Sequence, residues 1–142
     1  MINITKNIIN KKILSVSLVI AWMAIIFIMS SFNSIDSSNQ SNFIVNIIAD
    51  IFNISNTEII SLTIRKLAHF TEYFILGLLM ANMLKYYNRK EYIGIIICVI
   101  YAISDEMHQL FVSGRSCQIL DMLIDTIGSS AGIFLYNILR KK

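Results

Sequence analysis

The chain has no proline and only five glycines among its 142 residues. Proline-rich linkers are thereby excluded, and helices can run long without a breaker. Charge is scarce too. Asp, Glu, Lys and Arg make up 15% of the chain, against roughly 25% in a soluble domain. Two cysteines are too few for a disulfide scaffold. Cys98 falls in an apolar run and Cys117 in a polar loop. The topology derived below separates them beyond the roughly 7 Å Cα reach of a disulfide, so both read as free thiols. No basic stripe is interleaved with aromatics, which argues against a nucleic-acid partner. Low-complexity tracts and internal repeats are also missing.

What is abundant is apolar. Hydrophobic residues make up 56% of the chain, and the length fits one domain, 1–142. The reading is an integral membrane protein. Ile13 to Ile35 carry no charge, and about 23 helical residues cover about 34 Å, enough for a hydrocarbon core of about 30 Å. Lys6, Lys11 and Lys12 precede this run. A cleaved signal peptide also begins that way, but no convincing A-x-A-like site follows and further apolar runs do. Those runs are Lys66–Leu84, Tyr92–Phe111 and Ile119–Leu139, each with a clean half and a polar half. The expected fold is an all-α bundle of four transmembrane helices, at about 13–33, 66–85, 92–111 and 119–139. An external interfacial segment, 36–65, joins the first two.

Charge placement sets the direction. The N-terminus, the loop 85–91 and the C-terminus together hold nine of the twelve cations and one acid, Glu91. By the positive-inside rule both termini are cytoplasmic. Tyr86, Tyr87 and Tyr92 flank the inner loop as an interfacial belt. Outside, "SSFNSIDSSNQS" reads as a Ser/Asn-rich linker that could also dip over a site and offer hydrogen bonds. "SNFIVNIIADIFN" then sets Asn42, Asn46, Ala49, Asp50 and Asn53 on one helical face. Phe43, Ile44, Ile47, Ile48 and Ile51 fill the other. This amphipathic helix lies in the outer interface or packs on the bundle. Asn56 or Thr57 can cap a helix running on into Lys66.

"RKLAHFTEYF", residues 65–74, puts charge at the mouth of the second span. Counted from the inner anchors at about 1.5 Å per residue, Glu72, Asp105 and Asp125 reach nearly one height, about 20–22 Å. His69 and His108 follow at about 24–25 Å, and Lys66 and Asp121 at about 28 Å, with Arg115 in the loop above. Lys66, His69, Glu72 and Tyr73 share one helix face. Asp105 and His108 share another, with Glu106 and Gln109 beside them. Asp121 and Asp125 stand one turn apart, and Gly128 and Gly132 continue that stripe as a small-xxx-small pair. Charges in a span face the bundle interior or a wet cavity. The expectation is one polar pocket, open to the outside, built from spans two, three and four. A purely structural salt-bridge network, with Lys66 on Asp121 as one pair, is the plain alternative. The acids outnumber the cations, so protonation, imidazolium or a bound cation must balance them.

Three functions fit such a pocket. It could bind an external amphiphile, with Lys66 and Arg115 engaging a phosphate or carboxylate. It could be a hydrolase or transferase, with His69 or His108 as base and Glu72, Asp105 or Glu106 orienting it. A divalent metal could then sit among His69, Glu72, Asp105 and His108, although D-E-x-H-Q is not the zinc pattern H-E-x-x-H. A proton-coupled lipid transporter is the third, but the inner halves of spans two to four offer no polar path. Oligomeric state is not legible.

The stretches "RKLAHFTEYFILG", "SDEMHQLFVSGRSCQILDMLIDTIG" and, more loosely, "IFIMSSFNS" together resemble the VanZ-like family. The family usually has Pro before the loop glycine, where this chain has Ser113, and Asn is frequent where Asp125 stands. The resemblance implies a small multi-pass protein of the bacterial plasma membrane. It also implies a possible effect on susceptibility to teicoplanin, a glycopeptide directed at cell-wall precursors. A membrane lipid or lipid-linked precursor is the implied partner.

Overall fold

Among the described residues four long helices follow one another: α1 (Ile2–Ser30), α2 (Thr57–Tyr86), α3 (Glu91–Gln109) and α4 (Ile119–Arg140). The structure, a computed structural model, describes residues 2–32, 45–47, 49–51 and 57–140, with side chains from residue 6 onward. Among the described residues there is helix and no strand, in line with the all-α expectation. Residues 45–47 and 49–51 are helical, with Val45 buried and Ile47 and Ile51 exposed. Asn42, Phe43, Ile44, Ile48 and Asn53 of the amphipathic stretch lie outside the described residues. So do the Ser/Asn-rich linker from Asn33 on, Asn56, Lys141 and Lys142.

Three helical stretches are long and apolar enough to cross a bilayer: Lys6–Ser30, Thr57–Tyr86 and Ile119–Arg140. The 19-residue α3 is not among them. Asp105, Glu106, His108 and Gln109 crowd its last turns and offset the apolar "YIGIIICVIYAI" before them. α2 starts at Thr57 and runs on through Lys66, as the expected cap at Asn56 or Thr57 implied, so the segment between the first two helices is shorter than 36–65. Glu58 in its first turn and Lys85 in its last both suit the helix dipole. α1 stops at Ser30, short of residue 33. There Ser31 turns its hydroxyl onto the Phe27 carbonyl at 2.7 Å, a local bond that competes with the helix ladder.

The α2–α3 turn closes as a Schellman motif. Arg89 N–H donates to Leu84 O at 3.0 Å and Asn88 N–H to Lys85 O at 3.2 Å, with Asn88 left-handed at φ 50°. Lys12 of α1 lies 5.2 Å above the Tyr87 ring in this turn. In the α3–α4 loop Gly114 takes φ 76°, where a Cβ is disfavoured.

α2 is the hub: it packs on α1, α3 and α4, most extensively on α4. The α2–α4 seam is backbone against backbone. A Cβ on Gly128 would stand 2.6 Å from Phe70 O, and one on Gly132 or Gly77 would overlap Phe74 O or Ser129 O. Only glycine allows that approach. The core is Val19 and Ile26 of α1, Tyr73, Leu76, Met80 and Leu84 of α2, and Cys98 and Ala102 of α3. Around it, Ile13, Ile20, Ile28, Ile96, Ile100, Ile127 and Phe134 point outward. Apolar side chains cover the outside while carboxylates sit inside, which is the distribution a lipid solvent selects.

Candidate functional site

The polar residues gather at the end of the bundle where α1 and α3 finish and α4 begins. The pair at its edge is Lys66 of α2 with Asp121 of α4, Nζ to Oδ1 at 2.7 Å. One turn inward on both helices, His69 Nδ1 faces Asp125 Oδ1 at 3.7 Å, too long for a hydrogen bond. The glycine seam sets both pairings, because it brings α2 and α4 to their closest approach just below them.

α3 supplies the third wall. Asp105 is 2% exposed and accepts a 2.7 Å hydrogen bond from the Ser30 hydroxyl of α1. Gln109 Nε2 reaches the same hydroxyl at 3.5 Å. Glu106 is fully buried, and its Oε2 accepts the Gln118 N–H at 2.9 Å, just before α4 begins. That bond caps the start of α4. His108 turns toward α1 instead. Its ring stacks on Phe27 with centroids 4.3 Å apart, and its Nε2 lies 3.1 Å from Ser31 Oγ.

Arg115 folds down from the α3–α4 loop over this wall. Its Nε donates to the Phe32 carbonyl at 3.1 Å and its Nη1 to Gln109 Oε1 at 3.4 Å. Both partners are neutral, and among the described residues it has no ion pair. Burial, and then the charge of nearby Arg65, lower its pKa from the ordinary value.

Six buried polar atoms have no hydrogen-bond partner among the described residues: His69 Nδ1, Tyr73 Oη, Asp105 Oδ1, Glu106 Oε1 and both oxygens of Asp125. Each such atom forfeits about 1–3 kcal/mol unless something pairs with it. All six lie on α2, α3 and α4.

The sequence residues are thus brought together in part. Lys66 meets Asp121, His69 meets Asp125, and Asp105, Gln109 and Arg115 form one connected set. Glu72 lines a groove between α1 and α2, and Tyr73 lies in the core. Asp105, Glu106 and Asp125 are packed inside rather than lining an open bowl. α1 is a wall that the three-span reading left out: Ser30, Ser31 and the Phe32 carbonyl all bond to site residues. The run "IMSSF" at the end of the first span was the available signal. Arg65 was passed over as a flanking charge.

The proposed metal set His69, Glu72, Asp105 and His108 does not converge. Among the described residues, no three His, Cys, Asp or Glu side chains form a group able to hold a metal ion. What the geometry can do is bind charge of either sign. The loop guanidinium lies at the end of the bundle, with carboxylates and a histidine beneath it.

A family model described as VanZ/LLP1 matches residues 15–140. No curated protein and no solved structure matches the chain.

Proposed function

The chain belongs to the VanZ/LLP1 family and is a VanZ-like membrane protein, and from that premise we propose that its polar end faces outward and binds an anionic amphiphile. In this reading all four helices span the bacterial plasma membrane with both termini inside. α3 crosses as the fourth, packed against α2 and α4, with Ile96, Ile100 and Ile103 turned to lipid. The nine-to-one charge asymmetry supports that direction.

One observation carries the binding role. Arg115 is half-buried on two neutral acceptors, and the rest of its donor fork is left for a phosphate or carboxylate. Lys66 was the other candidate cation, but Asp121 already neutralises it. The experiment is a titration of purified protein in detergent with a lipid-linked cell-wall precursor and with an uncharged lipid of equal chain length. The precursor should bind more tightly, and Arg115→Ala should remove about tenfold of that affinity. Equal binding by wild type and variant rejects the reading. If the precursor is the natural ligand, expressing the chain should shift teicoplanin susceptibility, and the Arg115→Ala variant should not.

A second reading, a membrane-embedded hydrolase or transferase, rests on the facing of His69 and Asp125. Asp125 would orient the imidazole and His69 would act as base. His69→Asn should then abolish turnover of a lipid-linked substrate while leaving its binding intact.

A further inference from the structure

A groove of about 390 Å³ runs along the lipid-facing junction of α1 and α2, lined by Trp22, Ile64, Leu67, Thr71, Glu72 and Ile75. Its size falls within the roughly 300–1,000 Å³ of small-molecule sites. The walls are apolar except for Thr71 and Glu72. The Thr71 hydroxyl is engaged by the Leu67 carbonyl at 2.7 Å, and Trp22 is pinned by its indole N–H to the Glu72 backbone carbonyl at 2.9 Å. The trough is therefore preformed rather than a chance gap between loose side chains.

Its upper end reaches Ile64 and Ala68. Arg65 stands there, one helical turn from Ala68 on the same side of α2. Arg115 stands over the neighbouring end of α1, where its Nε donates to the Phe32 carbonyl at 3.1 Å, so both guanidiniums crown the same end of the α1–α2 groove, and their charges act on each other. Neither guanidinium has a carboxylate ion pair among the described residues. A cationic pair thus stands at the outer end of an apolar trough, with a carboxylate further in. That order matches one molecule: an anionic head above, an aliphatic chain below. A cationic or zwitterionic head would leave two guanidiniums facing its positive group.

We propose that the α1–α2 groove and the Arg65–Arg115 pair form one site for a single-chain lipid phosphate, with the phosphate between the guanidiniums and the chain along Trp22, Leu67 and Ile75. This rests on the anionic-amphiphile reading above and adds the head chemistry, the chain number and the second cation. Two arginines suit the doubly charged oxygens of a phosphate monoester better than they suit a carboxylate. The groove's volume of about 390 Å³ has room for one aliphatic chain rather than two. Glu72 sets a floor against deeper entry of the head, because its charge repels phosphate.

Trp22 is the chain's one tryptophan, and it lies in the groove wall, so its fluorescence reports on the proposed chain directly. The full chain in detergent is titrated with lysophosphatidate carrying a brominated chain, and binding of radiolabelled lysophosphatidate is measured in parallel. Quenching of Trp22 should saturate with the bound fraction. Brominated lysophosphatidylcholine of the same chain length should quench at least about tenfold more weakly, as should lysophosphatidate with Arg65→Gln or Arg115→Gln. Inorganic phosphate should not displace the lipid. Glu72→Gln should keep binding or tighten it, which a zwitterion-binding site would not show. Equal quenching by the two head groups, or unaltered quenching in both arginine variants, overturns the proposal. Saturable binding that needs Arg115 but leaves Trp22 unquenched overturns the groove alone and leaves the anionic-amphiphile reading standing. No saturable binding of the radiolabel removes both.

Discussion

A buried carboxylate is tolerated only with a partner, and the site residues differ in how well that condition is met. Asp121 meets it through Lys66 at 2.7 Å, with the side chains 34% and 12% exposed on the lysine and aspartate sides. The lysine's exposure weakens the pair, but Asp121 is buried enough to suffer from its loss. Lys66→Met should lower stability by about 1–3 kcal/mol, and adding Asp121→Leu should restore most of it. Thermal unfolding in detergent checks both, and a double variant no more stable than the single one would contradict this account. Glu106 is a capping acceptor as well as an acid. Glu106→Gln keeps an oxygen for the Gln118 N–H and should leave stability nearly unchanged. Glu106→Leu should cost about 1 kcal/mol, the value of a lost cap. At this scale the sequence was readable where height alone decides contact. Lys66 and Asp121 were counted to one level, and they meet. His69 facing Asp125 was not readable, since height does not give the direction a side chain takes around its helix. Ser30 and Ser31 were read only as the start of a linker able to dip over the site, because their partners Asp105 and His108 are known only from the packing of α1.

Among the helices, the α2–α4 seam decides the arrangement. The spacing of Gly128 and Gly132 announced a close approach, but Gly77, which completes it from the other helix, carried no such mark. A lone glycine in a span has meaning only once its facing backbone is known. The glycines should not be equivalent to substitution. Gly132→Ala sets a Cβ into the Phe74 carbonyl, backbone that cannot step aside. Gly94→Ala meets only Leu84 Cδ1 at 2.8 Å and Met80 Cγ at 3.0 Å, the ends of flexible side chains. Gly132→Ala should cost about 1–3 kcal/mol, the usual range for overpacking, and Gly94→Ala clearly less. Melting temperatures of the two variants provide the comparison, and the reverse order would discredit the seam. The four helices themselves were legible from apolar runs and flanking charge. Their ends were legible in part: the expected cap at Asn56 or Thr57 pointed to the start of α2, whereas the stop of α1 lies at a local hydroxyl bond.

For the whole molecule, an apolar exterior around an acidic interior is the organising fact, and composition alone announced it. The proposed direction in the membrane rests on charge placement and is open to test through the two thiols. Cys117 is half-buried in the α3–α4 loop and Cys98 is buried in the core. A membrane-impermeant maleimide applied to intact cells should label Cys117 and spare Cys98, and Cys117→Ser should abolish the signal. Labelling of Cys117 only after the cytoplasmic face is opened would invert the topology.

The seam has a mechanical side. Helices locked backbone to backbone move as one body, so α2 and α4 carry the Lys66–Asp121 and His69–Asp125 spacings between them as a fixed gauge. α1 is held by lighter fastenings: the Trp22 indole on Glu72 O, Ser30 on Asp105, and Tyr101 Oη on the Met23 carbonyl at 2.6 Å. A guest in the proposed groove would therefore spend its force on α1. Ser30, Ser31 and Phe32 at the end of that helix touch the acids and the loop arginine. Under that proposal, filling the groove would disturb the charged end as well, with α1 as the lever.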